Sequence, residues 1–267
     1  MDHIILNNGV KMPLLGFGTY LIRTGFECEQ SVLNALNIGY RLIDTAAAYY
    51  NEESVGNAIK KSNLNRDEIF VTTKFLPAES GYEKAKLACE ASLKKMSLDY
   101  IDLLLIHLPQ GDLNSSWKAM EELYKEGKVR AIGVSNFNLS QIRDLRERHH
   151  VVPAVNQLET HPFCQRTEMQ EALKSEGIQL ESWAPFAQGR NNLFHHELLE
   201  DLSSKHHKSV AQVVLRWFIQ REIVAIPKSV NVKRMSENFN VFDFELSADD
   251  MTAIKSLDQG SGLIYMV

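Results

Sequence analysis

One rhythm governs this chain from Leu14 to Lys228: a short apolar run, a small or polar residue, then a longer segment with helical spacing. The apolar runs are Leu14–Gly18, Arg41–Asp44, Ile69–Lys74, Ile101–His107, Val129–Ser135, Ala154–Glu159, Gln179–Trp183 and Ile223–Lys228. The segments between them carry amphipathic stripes. Val210, Val213, Val214, Trp217 and Phe218 mark one, with Ser209 and Gln212 forming a capping box ahead of it. Trp117, Met120 and Tyr124 mark another. Strands apolar on both faces and alternating with helices form a parallel sheet covered by helices. A count of eight favours a closed (β/α)8 TIM barrel over an open doubly wound sheet. His3–Leu6, Asn7-Asn8-Gly9 and Val10–Met12 read as an N-terminal hairpin, with Asn-Gly supplying the positive backbone angles of the turn. Extra helices are expected near the C-terminus, at Asn191–Lys205 before the seventh barrel helix and at Ser247–Leu257 as the last element.

No compositional break divides the 267 residues, so 1–267 is expected to be a single domain. The net charge of −5 comes without a basic stripe, which removes the electrostatic footprint of a nucleic-acid partner. Cys28, Cys89 and Cys164 are odd in number and lack a CxxC pair, as fits a reducing compartment. No segment has the look of a leader peptide or a membrane span, so the expected address is cytoplasmic. A monomer or weak dimer is expected.

In a barrel, chemistry collects at the carboxyl ends of the strands. The residues there are Asp44, Lys74, His107, Ser135 with Asn136, Gln157 with Glu159, Trp183, and Lys228 with Ser229. Tyr49 hangs over them from the second βα loop. A carboxylate at the end of a buried strand needs a cation or several donors, and Lys74, closing the next strand, is the candidate partner of Asp44. Taken singly, His107 reads as a structural hydrogen-bonding residue, Lys74 as a surface lysine and Tyr49 as loop packing. Four such groups at one rim read differently. A lysine beside a phenol stabilises the phenolate and makes the phenol a better acid. Asp44 would keep that lysine charged and in position. His107 could then hydrogen-bond a carbonyl oxygen beside the Tyr49 hydroxyl. The rim offers no nucleophile besides Lys74, so hydride from a cofactor fills the gap.

The motifs GFGTY (Gly16–Tyr20), DTAAAYYNEESVG (Asp44–Gly56), TTK (Thr72–Lys74), DLLLIH (Asp102–His107), GKVRAIGVSNF (Gly127–Phe137), VNQLETHPF (Val155–Phe163), WAPFAQG (Trp183–Gly189) and IPKSVNVKRMSEN (Ile226–Asn238) follow one another along nearly the whole chain. In order and spacing they resemble the aldo-keto reductase family, especially its small bacterial members. The resemblance implies an NAD(P)H-dependent (β/α)8 barrel that reduces a small carbonyl substrate. It gives Tyr49 the role of proton donor, Lys74 and Asp44 that of its tuning pair, and His107 that of orienting the carbonyl. It makes Ser135, Asn136 and Gln157 a clamp on the nicotinamide carboxamide and Trp183 the ring stacked on the nicotinamide. Phe186 and Gln188 are carried over with the same motif as cofactor residues. Thr19 and Tyr20 are expected to line the cofactor and substrate openings. Lys228, Ser229 and Arg234 are expected to hold an adenosine 2′-phosphate, with Glu237 and Asn238 by the adenine. NADPH/NADP+ is therefore the expected cofactor, ahead of NADH.

Three features depart from the family pattern. Tyr50 stands where the family often has glycine, so different loop angles are expected. Leu108 replaces a frequent tryptophan, and only a short tail follows the last helix, so a wide mouth is expected. The doubled histidines His149-His150, His195-His196 and His206-His207 lack the i, i+4 spacing of helical metal ligands, and no metal is expected. Two readings from other classes stay open: a lyase using Lys74 as a Schiff base, and a binding protein that keeps the nucleotide site as a sensor.

Overall fold

The computed structural model describes residues 2–264. An antiparallel hairpin, β1 (His3–Ile5) and β2 (Lys11–Pro13), comes first. Eight parallel strands follow: β3 (Phe17–Gly18), β4 (Leu42–Asp44), β5 (Phe70–Phe75), β6 (Leu103–Ile106), β7 (Ile132–Ser135), β8 (Val155–Glu159), β9 (Gln179–Trp183) and β10 (Val224–Ala225). Each pairs with its sequence neighbour. The ring closes where Leu15 bridges Ala225, with the Gly16 N–H donating to the Ala225 carbonyl at 2.8 Å and the Gly18 N–H to the Pro227 carbonyl at 3.1 Å. This is the expected (β/α)8 barrel with an N-terminal hairpin.

Six of the seven strand-to-strand crossings carry one α-helix each: α1 (Phe26–Ile38), α2 (Glu52–Lys61), α3 (Tyr82–Met96), α4 (Leu113–Lys125), α5 (Leu139–Arg148) and α6 (Thr167–Ser175). α7 (Glu197–His206) and α8 (Val210–Gln220) follow β9, and α9 (Val232–Phe239) and α10 (Ala248–Lys255) follow β10. In α8, Ser209 and Gln212 exchange the two hydrogen bonds of a capping box, and the apolar stripe from Val210 to Phe218 faces the core. Strands β4 to β8 are buried on both faces, as helices packed around a closed sheet require.

The structure corrects several local expectations. Strands are shorter than their apolar runs: the eighth run, Ile223–Lys228, yields only Val224–Ala225, since Pro227 has no N–H to extend the ladder. The hairpin turn takes its positive angle from Gly9 alone, at φ 84°, with the Gly9 N–H bonded to the Leu6 carbonyl. Asn7 and Asn8 instead donate to the Pro153 and Arg130 carbonyls, which fastens the hairpin under the amino ends of β8 and β7. The extra helix begins at Glu197, because Asn191 and Asn192 both sit at φ 51° in the left-handed region. Tyr50 keeps the conformation a glycine would favour, φ 56° and ψ 24°, so the loop retains its path despite the larger side chain. Asn51 precedes α2 without capping it through its side chain. Its amide accepts from the Thr45 hydroxyl and donates to the Thr19 and Ile22 carbonyls, tying the first two βα loops together.

Candidate active site

Asp44 ends β4 and Lys74 lies near the end of β5, in the adjacent strand. Both are buried. Lys74 Nζ donates to the two Asp44 carboxylate oxygens at 2.7 and 2.8 Å and to the Thr45 carbonyl at 3.0 Å. Its remaining neighbour is the Tyr49 hydroxyl at 3.5 Å. Burial works against the ammonium, but Asp44, Tyr49 and Glu181 together outweigh it, and the lysine is held above its ordinary pKa. It therefore stays a cation.

Tyr49 arrives on a short 3-10 turn, Ala47–Tyr49, in the second βα loop of the barrel. Its ring lies edge-on to His107 at 5.9 Å and tilted against Tyr20 at 5.0 Å. The expectation of a phenol more acidic than usual is corrected in sign. Burial pushes the Tyr49 pKa up, and Lys74, though it pulls the other way as expected, recovers only part of the rise. His107 directly follows β6, where burial first and Lys74 second drive its pKa down to about 3. Its imidazole is thus neutral at ordinary pH and offers one N–H.

These groups open on a cavity of about 700 Å³ at the carboxyl ends of the strands. Asp44, Tyr49, His107, Ser135, Asn136, Gln157, Trp183, Phe186, Gln188, Lys228 and Tyr20 all reach its wall. Gln157 donates to Asp44 Oδ2 at 2.9 Å, so the amide is coupled to the ion pair. Asn136 is bonded on both ends of its amide: Nδ2 donates to Ser135 Oγ and to the His107 carbonyl, and Oδ1 accepts from Trp183 Nε1 at 2.9 Å. That last bond orients the indole at the mouth.

Thr19 is placed differently from expectation. Its side chain is buried away from the cavity and donates to the Asp44 carbonyl at 2.9 Å, so it supports the loop that carries Asp44 while Gly18 and Tyr20 form the opening. Ser229, Arg234, Glu237 and Asn238 stand outside the cavity wall, the first two around the start of α9 and the last two in its final turn. Asn231 caps that helix by accepting from the Arg234 N–H. Lys228 and Arg234 are exposed and, among the described residues, neither has an anionic partner. Asn238 is buried at the inner edge of the helix and Glu237 half-buried.

Several wall residues were given no role in the sequence reading, Leu76, Arg190, Ile226 and Ile264 among them. Leu76 and Ile226 sit beside strand ends and were findable from strand position. Arg190 and Ile264 lie in irregular chain with no periodicity to mark them. Glu181 was also missed. It is fully buried on β9, pushed up to about 8 by burial and by the Asp44 charge, and sits inside the barrel beside the residues just described. Each of the three histidine doublets contributes a side-chain pair: His206 Nε2 with Asp250 at 2.9 Å, His195 Nδ1 with Glu200 at 3.1 Å and His149 Nε2 with Asn114 at 3.3 Å.

A parallel eight-stranded barrel thus carries a buried lysine–aspartate pair, a phenol and a neutral imidazole at its carboxyl rim, grouped around one cavity. The Aldo/keto reductase family model matches residues 15–259, and the chain belongs to that family. It is similar to "Glyoxal reductase" of Bacillus subtilis (strain 168), 47% identical over 259 residues that cover 97% of this chain and 93% of that protein. It also superposes on the crystal structure of an aldo-keto reductase enzyme from a Medee basin deep-sea metagenome library, with a TM-score of 0.94, 44% identity, and 98% of this chain and 97% of that one covered. A structure of a Gox0644 mutant in complex with NADPH matches with a TM-score of 0.94 at 39% identity, covering 99% of this chain and 96% of that one.

Proposed function

We propose that this protein is an NADPH-dependent reductase of small aldehydes and ketones, dicarbonyls such as glyoxal among them, working through Tyr49, Lys74, Asp44 and His107 within one barrel domain. The observation that carries the reading is the 3.5 Å approach of the buried Lys74 ammonium to the Tyr49 hydroxyl at the cavity floor. A carbonyl oxygen between Tyr49 and His107 would meet one protonated hydroxyl and one neutral N–H donor. Lys74 offsets the negative charge that grows on the phenol oxygen as its proton leaves, and Asp44 keeps Lys74 charged. His107 polarises the carbonyl without adding a full positive charge that would raise the cost of the buried Lys74. The carbonyl carbon takes hydride and its oxygen takes the Tyr49 proton, giving an alcohol.

The residues present fit a phosphorylated dinucleotide. The flat Trp183 ring, held by Asn136, stands beside the hydroxyl and amides that would meet a nicotinamide carboxamide: Ser135, Asn136 and Gln157. Asn136 and Ser135 are bonded to one another, so binding would exchange partners at little net cost. Phe186 and Gln188 would line the path of the cofactor. Lys228, Ser229 and Arg234 would take the 2′-phosphate at the amino end of α9, where a helix favours anions, with Glu237 and Asn238 by the adenine. Two cations without anionic partners among the described residues support NADPH over NADH. The chemistry drawn from NADPH when bound is hydride donation to the carbonyl carbon.

A Schiff-base role for Lys74 has less support, because that chemistry needs a neutral and accessible amine. Lys74 is buried, held by three oxygens and kept a cation. The test is NADPH consumption followed by absorbance across a panel of aldehydes, dicarbonyls and ketones. Turnover with at least one class supports the reading. NADPH binding without consumption on any of them would favour a nucleotide sensor, and borohydride trapping of a substrate on Lys74 would favour the lyase.

A further inference from the structure

One buried carboxylate at the barrel rim has no part in the chemistry above. Glu159 closes β8 and is 5% exposed. Its Oε1 accepts the backbone N–H groups of Leu263 at 2.5 Å and Ile264 at 3.0 Å, and faces His161 Nε2 at 3.0 Å. Gly262 lies so close to the carboxylate that a Cβ there would stand 2.3 Å from Oε2. The same stretch of chain is held from the other side by the loop after β9. Arg190 donates to the Leu263 carbonyl at 2.7 Å, and Asn191 to the Gln259 side chain at 3.2 Å.

Ile264 and Arg190 both reach the wall of the cavity that contains Tyr49 and His107. The short tail, expected to leave the mouth open, therefore supplies part of its wall. Residues 260–264 form no helix or strand, so their position depends on these few anchors. Of the anchors, Glu159 gathers two consecutive N–H groups on one charged oxygen, which makes its bonds stronger than neutral ones.

We propose that Glu159 is a positioning residue that latches the C-terminal segment against the barrel rim and so sets the width of the substrate end of the cavity. On the reductase reading proposed above, specificity then depends on a carboxylate that never touches substrate. Burial alone would push the Glu159 carboxyl up, but the bonds from His161, Leu263 and Ile264 outweigh it and hold its pKa below the ordinary value. The latch is therefore charged and closed at neutral pH. Releasing it moves Ile264 off the wall while leaving Tyr49, Lys74 and Asp44 where they are. A bulky carbonyl gains room, and a compact one gains nothing.

The latch can be broken from both sides. Glu159→Gln removes the charge, and Gly262→Ala places a methyl against an intact carboxylate. Kinetics of the full-length variants with glyoxal and with phenylglyoxal, at saturating NADPH, are compared with the wild type. For each single variant we expect the phenylglyoxal-to-glyoxal ratio of kcat/KM to rise about tenfold, the shift given by one hydrogen bond to a charged group. The kcat for glyoxal and the Kd for NADPH should stay within about twofold of wild type. The double variant should match either single one, since both release the same segment. An unchanged ratio in both single variants, or effects that multiply in the double, overturns the latch. A wild type that reduces neither compound overturns the reductase reading itself, which is a separate outcome.

Discussion

Replacing Lys74 with methionine tests the electrostatics of the site most severely, because a similar volume is kept and only the charge and its donors go. Lys74 Nζ stands 3.5 Å from the Tyr49 oxygen. With an effective dielectric of about 20, a full negative charge at that distance gains roughly 5 kcal/mol from the ammonium. A phenol that has surrendered half its proton in the transition state would gain about half of that. Lys74→Met should therefore lower kcat by roughly 50- to 100-fold. The same change strands Asp44, which is buried and would keep only the bond from Gln157. Breaking one side of a buried pair costs about 3–5 kcal/mol of stability. Adding Asp44→Asn should return most of that stability and none of the turnover. The assays are steady-state kinetics with NADPH and glyoxal, and urea unfolding of both variants. A loss of kcat below about tenfold, or recovery of turnover in the double variant, would refute the claim that the ammonium serves the phenol.

Three further outcomes follow from the same geometry. Arg234→Ala should weaken NADPH binding by about 1.5–3 kcal/mol, the worth of hydrogen bonds to a charged group, and barely alter NADH binding; fluorescence titration with both cofactors reads this, and equal losses contradict it. Tyr50→Gly should stabilise the fold by about 1 kcal/mol in thermal unfolding, because a tyrosine at φ 56° bears a strain that glycine does not. His107 is held at about 3 when folded against an ordinary value of 6.5, so between those values the unfolded chain binds a proton that the folded chain refuses. Stability should fall as the pH drops through that window, and His107→Gln should flatten this part of the Tm–pH curve.

The barrel was legible because its signal is repeated: six of the eight apolar runs end at a polar residue, and Asp44, Lys74, His107 and Gln157 could be placed at one rim from the sequence alone. The Ser209–Gln212 capping box was legible too, since capping chemistry is local. What stayed hidden depended on tertiary placement. The direction in which Thr19 points follows from its bond to the Asp44 carbonyl. The net upward shift of Tyr49 follows from how deeply the loop buries it, which spacing does not encode. Glu159 looked like one more rim residue, and only the return of the tail from Asp258 to Ile264 gives it donors more than a hundred positions away.

Transfer of the proton from Tyr49 to the carbonyl oxygen is the step on which the account turns. Single-turnover oxidation of bound NADPH by glyoxal, compared between wild type and Tyr49→Phe, isolates that step from product release. The expected result is a rate lower by about 10²- to 10⁴-fold in Tyr49→Phe, the range for loss of a general acid, with NADPH affinity unchanged. A Tyr49→Phe rate within a few-fold of wild type would mean that the proton comes from somewhere else.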